Sequence, residues 1–443
     1  MLITLWLTTR AKPIMPTTRT ATRQTKDRQK PTTKQLRRAL MQANRKPELL
    51  SPAGNLEKLK YAVNYGADAV YCALDRFGMR ASAGNLSPEQ LAEGLDYAHS
   101  KGAKVYVTLN TMPRDNELSD LKEYAKILAQ TTPDAFIISD PGVMDIIKQE
   151  IPNAVLHLST QASTVNSASI NFWSRYGVKR VVLARELSLN EIRLIRENIN
   201  PDMEIECFVH GAMCVSYSGR CLLSNYLTGR NANGGACAQP CRWKYHLREE
   251  KRSENLYAEE DPQGTYVFSS RDMRMIEHIG DLVNAGVDSF KIEGRMKSAY
   301  YTAAITNAYR IAIDNYFDGK EFDINCLRET ENVSHREYGT GYFYTSPDID
   351  ANVVDANEYI ADRPFLATVS EFNPEKGLAK CYQRNKMLKG QNANLLSPKS
   401  FGRDFVIGNM YDMEMNPIES TPHAGMEFYL EIDSANAGDI IRG

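Results

Sequence analysis

Short runs dense in Val, Ile, Leu, Phe and Tyr alternate with segments of helical periodicity from Pro47 onward. This alternation is typical of repeated strand-helix units. Eight strands are predicted, at Glu48–Ser51, Ala69–Leu74, Lys104–Leu109, Ala135–Ser139, Val155–Ser159, Arg180–Ala184, Glu204–Val209 and Ser289–Glu293. Helices are predicted between them, as at Leu56–Tyr65, Pro88–His99, Leu118–Ala129 and Leu189–Glu197. The pattern predicts an α/β fold, a TIM-type parallel β/α barrel with its active site at the carboxyl ends of the strands.

The chain of 443 residues is long enough for a barrel and a second, smaller domain. We expect the barrel over 47–330, with a cysteine-rich insertion at about 211–265 after strand seven. Within the insertion, Trp243–Glu249 and Thr265–Ser269 could pair as a hairpin. A linker is expected over 331–360 and a small all-β domain, a barrel or a sandwich, over 361–443. Such a domain either binds nucleic acid or another chain, or only packs against the barrel.

Charge is unevenly distributed. Residues 1–46 carry 12 Lys and Arg and the single acid Asp27, which leaves 41 bases against 54 acids in the rest. This basic extension is expected to be disordered, although its composition also fits an organelle transit peptide, and Met41 is an alternative start. The acidic body would need a local basic patch to bind nucleic acid. No apolar run approaches the roughly 20 residues that span a bilayer, so no membrane association is expected.

Four cysteines, Cys214, Cys221, Cys237 and Cys241, cluster within the insertion. Their number suits a 4Fe-4S cluster or a structural zinc, and unrelated or redox thiols are a third interpretation. Clustering of this kind favours metal ligation in a reducing, cytoplasmic compartment over a disulfide framework. The remaining cysteines, Cys72, Cys207, Cys326 and Cys381, fit buried small hydrophobic positions.

Polar residues follow most of the predicted strands, which favours a shared pocket at the barrel mouth. They include Asn110, Asp140, Ser159, Thr160, Gln161, Arg185, Glu186, His210, Glu293 and Arg295. His157 and His210 are candidates for proton transfer, because imidazole titrates near neutral pH. A strand histidine is also often a satisfied core residue. Glu293 is the third catalytic candidate.

The stretch Glu206–Ser224, ECFVHGAMCVSYSGRCLLS, resembles the signature of the collagenase-like peptidase family U32. Similarity extends through ELLSPAG at 48–54, KIEGRMK at 291–297 and SHREYGTG at 334–341. More narrowly, the chain resembles the branch of prephenate-dependent tRNA hydroxylases that make 5-hydroxyuridine at the wobble position. The resemblance implies oxygen-independent hydroxylation, prephenate as co-substrate, and a 4Fe-4S cluster held by Cys214, Cys221, Cys237 and Cys241. An electron donor or an accessory protein would be further partners.

Prephenate has two carboxylates, so its site should present cations. The candidates are Arg80, Arg185, Arg271, Lys291 and Arg295, each of which could instead form a structural ion pair. Asn110 and Gln161 complete the predicted substrate site. Trp243 could stack on an unpaired base or belong to the core of the hairpin. Ribosomal RNA hydroxylation and peptidase activity remain alternatives, although the chain has no His-Glu-x-x-His and no Gly-x-Ser-x-Gly motif.

Overall fold

The computed structural model describes residues 45–79, 84–214, 216–217, 220–243, 260–261, 264–265, 270–347, 349 and 360–443. The basic extension to residue 44, Arg80 and most of the predicted hairpin therefore lie outside the described residues. Thr265, which is described, pairs with Glu260 in a two-stranded ribbon of β8 (Glu260–Asp261) and β9 (Gly264–Thr265).

Eight parallel strands close into a ring, which confirms the predicted barrel. In chain order they are β1 (Glu48–Pro52), β2 (Ala69–Cys72), β3 (Lys104–Leu109), β4 (Ala135–Ile138), β5 (Leu156–Leu158), β6 (Val178–Val182), β7 (Glu204–Ala212) and β11 (Ser289–Ile292). Each pairs with its neighbour along this order. The ring closes because β11 pairs with both β7 and β1.

Helices cover the outside of the ring, and one short helix, Leu223–Thr228, lies in the insertion that carries the clustered cysteines. They are α1 (Leu56–Asn64), α2 (Pro88–Ser100), α3 (Leu118–Thr131), α4 (Pro141–Glu150), α5 (Ser167–Arg175), α6 (Leu189–Asn198), α7 (Leu223–Thr228), α8 (Ile279–Asn284), α9 (Ala299–Phe317) and α10 (Ile324–Glu331). Polar N-caps start several of them at the carboxyl ends of the strands, as at Ser188, whose side chain accepts from the Glu191 backbone N–H. No helix in the described part of the chain combines the length and apolar composition needed to cross a bilayer.

Strand β7 continues beyond the ring, and two short strands brace this extension. β10 (Asp272–Arg274) pairs antiparallel with the stretch of β7 from His210 to Ala212. β12 (Tyr338–Gly339) pairs with β10. Buried Val333 and Phe343 join the barrel core, so this part of the expected linker packs as barrel structure.

The carboxyl-terminal domain is an antiparallel sheet, as predicted for an all-β unit. Its strands are β13 (Phe365–Asn373), β14 (Leu378–Gln383), β15 (Asn392–Leu396), β16 (Arg403–Val406), β17 (Met410–Tyr411), β18 (Pro417–Ile418), β19 (Glu427–Glu431) and β20 (Ile440–Arg442). It docks on the barrel through a buried ion pair between Arg442 and Glu329, with 3.0 Å between Nη2 and Oε2. Leu396 and Ile440 enter the core of the barrel.

A charged network fills the amino-terminal half of the barrel. The Arg180 guanidinium donates to Glu48 at 2.5 Å, to Glu204 at 2.7 Å and to Glu206 at 3.1 Å. Burial alone would raise the pKa of Glu206, but Lys291 and Arg180 together hold it below its ordinary value. The barrel interior in this half is therefore a paired ionic core, and this core separates a cavity at the amino ends of the strands from the cavity at their carboxyl ends.

Candidate functional site

A cavity of about 80 Å³ occupies the carboxyl end of the barrel, and we call it the mouth cavity. Seven of the eight ring strands, or the turns directly after them, contribute to its wall. Its lining is Tyr71, Met79, Thr108, Asn110, Ile137, Ser159, Thr160, Gln161, Val182, Arg185, Phe208, Lys291, Glu293 and Arg295. Of the residues predicted for the site, the structure brings together Asn110, Gln161, Arg185, Lys291, Glu293 and Arg295.

Lys291 forms the cationic floor of the mouth cavity. Its Nζ donates to the Glu206 carboxylate at 2.8 Å and lies 4.5 Å from the centre of the Tyr71 ring and 5.5 Å from that of Phe208. Its side chain is 5% exposed. A carboxylate and two aromatic faces surround the Lys291 ammonium group and hold it in place. The floor of the cavity is therefore suited to a negatively charged group.

Two arginines also line this cavity. The Arg295 guanidinium donates to Thr108 at 3.0 Å and to Asn85 at 2.9 Å. The Arg185 guanidinium donates to the Ala212 carbonyl at 3.1 Å, at the end of β7. These bonds fix the direction of each planar cation, so a bound carboxylate would meet preoriented donors.

An amide-rich wall lies between the arginines. Asn110 accepts from the Met79 backbone N–H at 3.2 Å, and its side-chain amide donates to Ser159 at 3.4 Å. Ser159 also accepts from the backbone N–H of Gln161 at 3.3 Å. The Gln161 Oε1 atom is buried and has no hydrogen-bond partner among the described residues. An orphan acceptor of this kind costs free energy unless a ligand completes it.

A second cavity, of about 160 Å³, adjoins the first, and we call it the cysteine cavity. Met79, Gln161 and Arg185 line both. All four clustered cysteines line it, together with Tyr217, Leu223 and Met296. Cys214 and Cys237 are exposed, while Cys221 and Cys241 are half-buried, and all are thiols rather than disulfides. The thiols therefore share one chamber beside the open rim of the barrel.

The donor set suits a metal centre, but its coordination shell is not assembled. Four cysteines on one cavity wall match what a 4Fe-4S cluster or a zinc ion requires. The Gln239 backbone N–H points at the Cys237 sulfur at 3.4 Å, the kind of contact that stabilises a metal-bound thiolate. In the described part of the chain, however, no three His, Cys, Asp or Glu side chains stand close enough together to hold a metal. The residues fit such a group in type and placement, and binding would have to draw the thiols together.

The two histidines predicted for proton transfer lie elsewhere. His157 lines a cavity of about 710 Å³ at the amino ends of the strands, at the opposite end of the barrel. His210 is buried outside the ring among Tyr301, Tyr309 and Tyr338, because β7 turns its side chain away from the mouth cavity. Burial lowers the pKa of His210 to about 3, and that of His157 falls well below its ordinary value. Both are buried, and neither lines the mouth cavity or the cysteine cavity.

Two other predicted residues are not brought to the cavities. Arg271 pairs with Glu337 at 3.0 Å, and the described lining of both cavities does not include it. Trp243 is 44% exposed and follows the 3-10 turn Pro240–Arg242 at the outer surface. Arg80 lies outside the described residues.

Sequence reasoning missed Glu206, Met79 and the aromatic pair Tyr71 and Phe208. Glu206 opens the signature stretch, and its position one strand away from Lys291 could have suggested an ion pair. Met79 follows Gly78, whose carbonyl comes within 2.7 Å of where a Cβ would stand on Gly235. That close approach joins the β2 loop to the cysteine segment, and local sequence carries no signal for it.

Two sequence profiles match the chain. Residues 54–352 match peptidase family U32, and residues 362–442 match the peptidase family U32 C-terminal domain.

Three relatives illustrate what this chain resembles. The "tRNA hydroxylation protein P1" of Bacillus subtilis is 38% identical over 384 residues, which is 86% of this chain and 90% of the relative. The "Uncharacterized protease MJ0090" of Methanocaldococcus jannaschii is 45% identical over 310 residues, 69% and 74% of the two chains. The "23S rRNA 5-hydroxycytidine C2501 synthase" of Escherichia coli is 37% identical over 322 residues, 71% of this chain but 47% of the relative.

Proposed function

The chain belongs to peptidase family U32, and from that premise we propose that it is an enzyme that hydroxylates tRNA. More specifically, we propose conversion of the wobble uridine to 5-hydroxyuridine, with prephenate as co-substrate and a 4Fe-4S cluster as cofactor. Relatives named for tRNA hydroxylation and for ribosomal 5-hydroxycytidine synthesis support the RNA substrate.

One observation carries the proposal. The cysteine cavity and the mouth cavity share Met79, Gln161 and Arg185, so four thiols stand beside a pocket built from Lys291 and two arginines. An enzyme that uses an anionic co-substrate beside a redox centre would need both.

The mouth cavity suits a dicarboxylate. Lys291, Arg185 and Arg295 provide three cations, and Glu293 is the acid in the same lining. Lys291 offers a point charge, whereas the arginines offer planar donor pairs that match carboxylate geometry. We propose that the carboxylates of prephenate contact these cations, and that Glu293 lies beside the reacting part of the molecule.

The side-chain amide of Gln161, where the two cavities meet, is suited to bind a pyrimidine base. Its buried Oε1 atom needs a donor, and the N3–H of uracil is one. The amide N–H₂ of the same side chain could donate to a uracil carbonyl. We propose that the target base enters from the cysteine side and meets Gln161 there.

Cys214, Cys221, Cys237 and Cys241 would hold the cluster, which supplies one-electron redox chemistry when bound. The protein's own residues hold the substrates around it. Arg185 is tied to Ala212, two residues before Cys214, so the anion pocket and the first thiol are fixed to the same strand.

Mass spectrometry of tRNA nucleosides tests the activity. Cells lacking the protein should lose wobble 5-hydroxyuridine and its derivatives, and the wild-type gene should restore them. Arg185→Gln should fail to restore them because it removes the cation shared by both cavities. Arg175→Gln, at the exposed end of α5, is the matched control and should restore the modification. Unchanged tRNA in the deletion strain, with no redundant enzyme present, would refute the assignment.

Metal analysis tests the cofactor separately. Cys237→Ala should abolish bound iron and sulfide in anaerobically purified protein, whereas Cys381→Ala, in the carboxyl-terminal sheet, should leave both unchanged. Zinc in place of iron in the wild-type protein would refute the cluster and leave the hydroxylation question open to the tRNA measurement.

Ribosomal RNA is the second candidate substrate, since one relative is named for it. Digests of ribosomal RNA from the same deletion strain decide between the two. Peptidase activity is less well supported, because neither His157 nor His210 stands beside the clustered thiols to activate one as a nucleophile.

A further inference from the structure

Helix α7 forms part of the wall of the cysteine cavity and shows two different faces. Leu223 lines the cavity, and Ser224 is fully buried, where it accepts from the Ala238 backbone N–H at 3.1 Å. Leu222 and Tyr226, four residues apart, point the other way. They are 67% and 86% exposed. An adjacent exposed leucine and tyrosine on a cavity wall indicate a surface that another molecule covers.

The surface continues beyond α7. The 3-10 turn Pro240–Arg242 packs against α7, and Trp243 follows it with 44% exposure. Tyr217, on the cavity rim, is 45% exposed. Large exposed side chains thus lie beside α7, after the 3-10 turn that packs against it, and on the cavity rim. We call Tyr217, Leu222, Tyr226 and Trp243 the rim patch.

Charge identifies the partner. Residues 207–248 contain no Asp or Glu but include the bases Arg220, Arg230, Arg242, Lys244 and Arg248, in a chain whose acids outnumber its bases. Arg220 and Arg230 are exposed, and within the described structure neither guanidinium has an ion-pair partner. Within the acidic body that follows the basic extension, a basic segment attracts a polyanion.

We infer that the rim patch docks the unpaired loop of an RNA, with Tyr226 and Leu222 packing against exposed bases and Arg220 and Arg230 neutralising phosphates. This inference rests on the proposed RNA substrate and adds where, and in which form, the RNA binds. Exposed aromatic rings stack on splayed bases of a single strand, whereas the bases of a duplex are already stacked on each other. The partner is therefore a loop, and its target base is delivered directly to the cysteine cavity.

Fluorescence anisotropy with the full chain tests the docking without requiring turnover. The probes are a labelled hairpin RNA with uridine in its single-stranded loop and a fully paired duplex of the same stem. Tyr226→Ala should weaken hairpin binding about tenfold, the effect of losing one stacked base. Arg230→Glu should weaken it and reduce the slope of log affinity against log salt by about 0.7.

The matched controls lie at the opposite end of the barrel. Tyr176 is 61% exposed at the end of α5, and Arg175 precedes it. Tyr176→Ala and Arg175→Glu change the same residue types at exposed positions and should leave binding unchanged. All four substitutions are at the surface, so melting temperatures should match that of the wild type.

Three outcomes would overturn the inference: rim variants that bind the hairpin as the wild type does, controls that weaken binding equally, or a duplex that binds as tightly as the hairpin. Rim variants that bind RNA normally but lose hydroxylation in cells would assign the patch to a protein partner instead. If the wild type binds through the patch but tRNA modification does not depend on the protein, the docking surface stands and the proposed function fails.

Discussion

Replacing Glu206 with glutamine preserves the shape of the side chain but removes the carboxylate that pairs with Lys291 in the described structure. Glu206 is fully buried and accepts from Lys291 at 2.8 Å, from Arg180 at 3.1 Å and from Ser289 at 3.2 Å. Arg180 keeps its contacts with Glu48 and Glu204, whereas Lys291 keeps, among the described residues, its contacts with the Tyr71 and Phe208 rings. The substitution therefore leaves a buried ammonium without an anion.

Breaking a buried pair in this way costs about 3–5 kcal/mol. At about 2–4 °C per kcal/mol, the barrel should melt on the order of 10 °C lower than the wild type. Lys291→Met removes the stranded charge and fills the space between Tyr71 and Phe208. The double variant, Glu206→Gln with Lys291→Met, should therefore melt well above Glu206→Gln alone.

Calorimetry of the four chains at pH 7, where Glu206 is ionised, measures this cycle. A Glu206→Gln chain that melts within 2 °C of the wild type would refute the reasoning. So would a double variant whose loss equals the sum of the two single losses, because Lys291 and Glu206 would then be uncoupled.

The same substitution should change the mouth cavity. Without Glu206, Lys291 loses the carboxylate that holds its Nζ at 2.8 Å, so the cation on the cavity floor is no longer fixed in place. Prephenate should then bind about tenfold more weakly, which reduces its stabilisation of the fold by about 1.4 kcal/mol at saturating ligand. Melting curves with and without prephenate measure this difference. Equal stabilisation of both chains would show that Lys291 does not bind the ligand.

Three further predictions follow from buried contacts. The pKa of His210 is about 3 in the folded chain, so the stability that its neutral form contributes is fully present above about pH 6.5. Below that pH the free energy of unfolding should fall by up to about 1.4 kcal/mol per pH unit toward pH 3. Urea denaturation at pH 7, 6 and 5 should show a smaller loss of stability for His210→Asn than for the wild type. Gly211 has φ +101°, and an added Cβ would stand 2.4 Å from the Glu293 carbonyl, so Gly211→Ala should lower both melting temperature and bound iron; an unchanged iron content would contradict this. Glu329→Gln leaves the buried Arg442 without its carboxylate partner and should weaken the docking of the carboxyl-terminal domain. Hydrogen exchange of the β20 amides should therefore accelerate, whereas exchange of the β3 amides should not.

The barrel could be predicted from sequence because each strand is a short apolar run bounded by polar turn residues. Ala69–Cys72 and Lys104–Leu109 are buried along nearly their whole length, as the doubly covered strands of a barrel must be. Most strand ends shifted by a residue or two, since apolar residues such as Leu74 continue past the last ladder hydrogen bond, whereas β7 runs three residues beyond its predicted end at Val209. The grouping of Asn110, Gln161, Arg185 and Lys291 followed from topology alone, because the carboxyl ends of parallel strands meet at one rim.

The histidines show where that argument fails. Residues near the end of a strand point alternately into and out of the barrel, and an irregularity in the ladder between β7 and β11 at Lys291 and Ile292 changes that alternation. Phe208 faces the mouth cavity and His210 faces α9. His157 does point inward, but in the lower layer of the barrel. Sequence periodicity predicts which side of the sheet a side chain faces only where the ladder is regular. It does not predict how deep along the barrel axis that side chain lies.

Strand β7 explains why the thiols and the anion pocket coincide. A ring strand normally ends at the rim, but β7 continues to Ala212, and β10 supports the continuation. The Ala212 carbonyl holds Arg185 over the mouth cavity, and Gly211 lets the backbone pass against Glu293 without a clash. Cys214 follows Ala212 by two residues. The direction of β7 therefore affects the positions of the catalytic candidate Glu293, of Arg185, which is proposed to bind substrate, and of the predicted cluster ligand Cys214. Changes in this continuation should therefore affect prephenate binding and metal content together, whereas Tyr226→Ala should affect neither of these and should weaken only RNA binding.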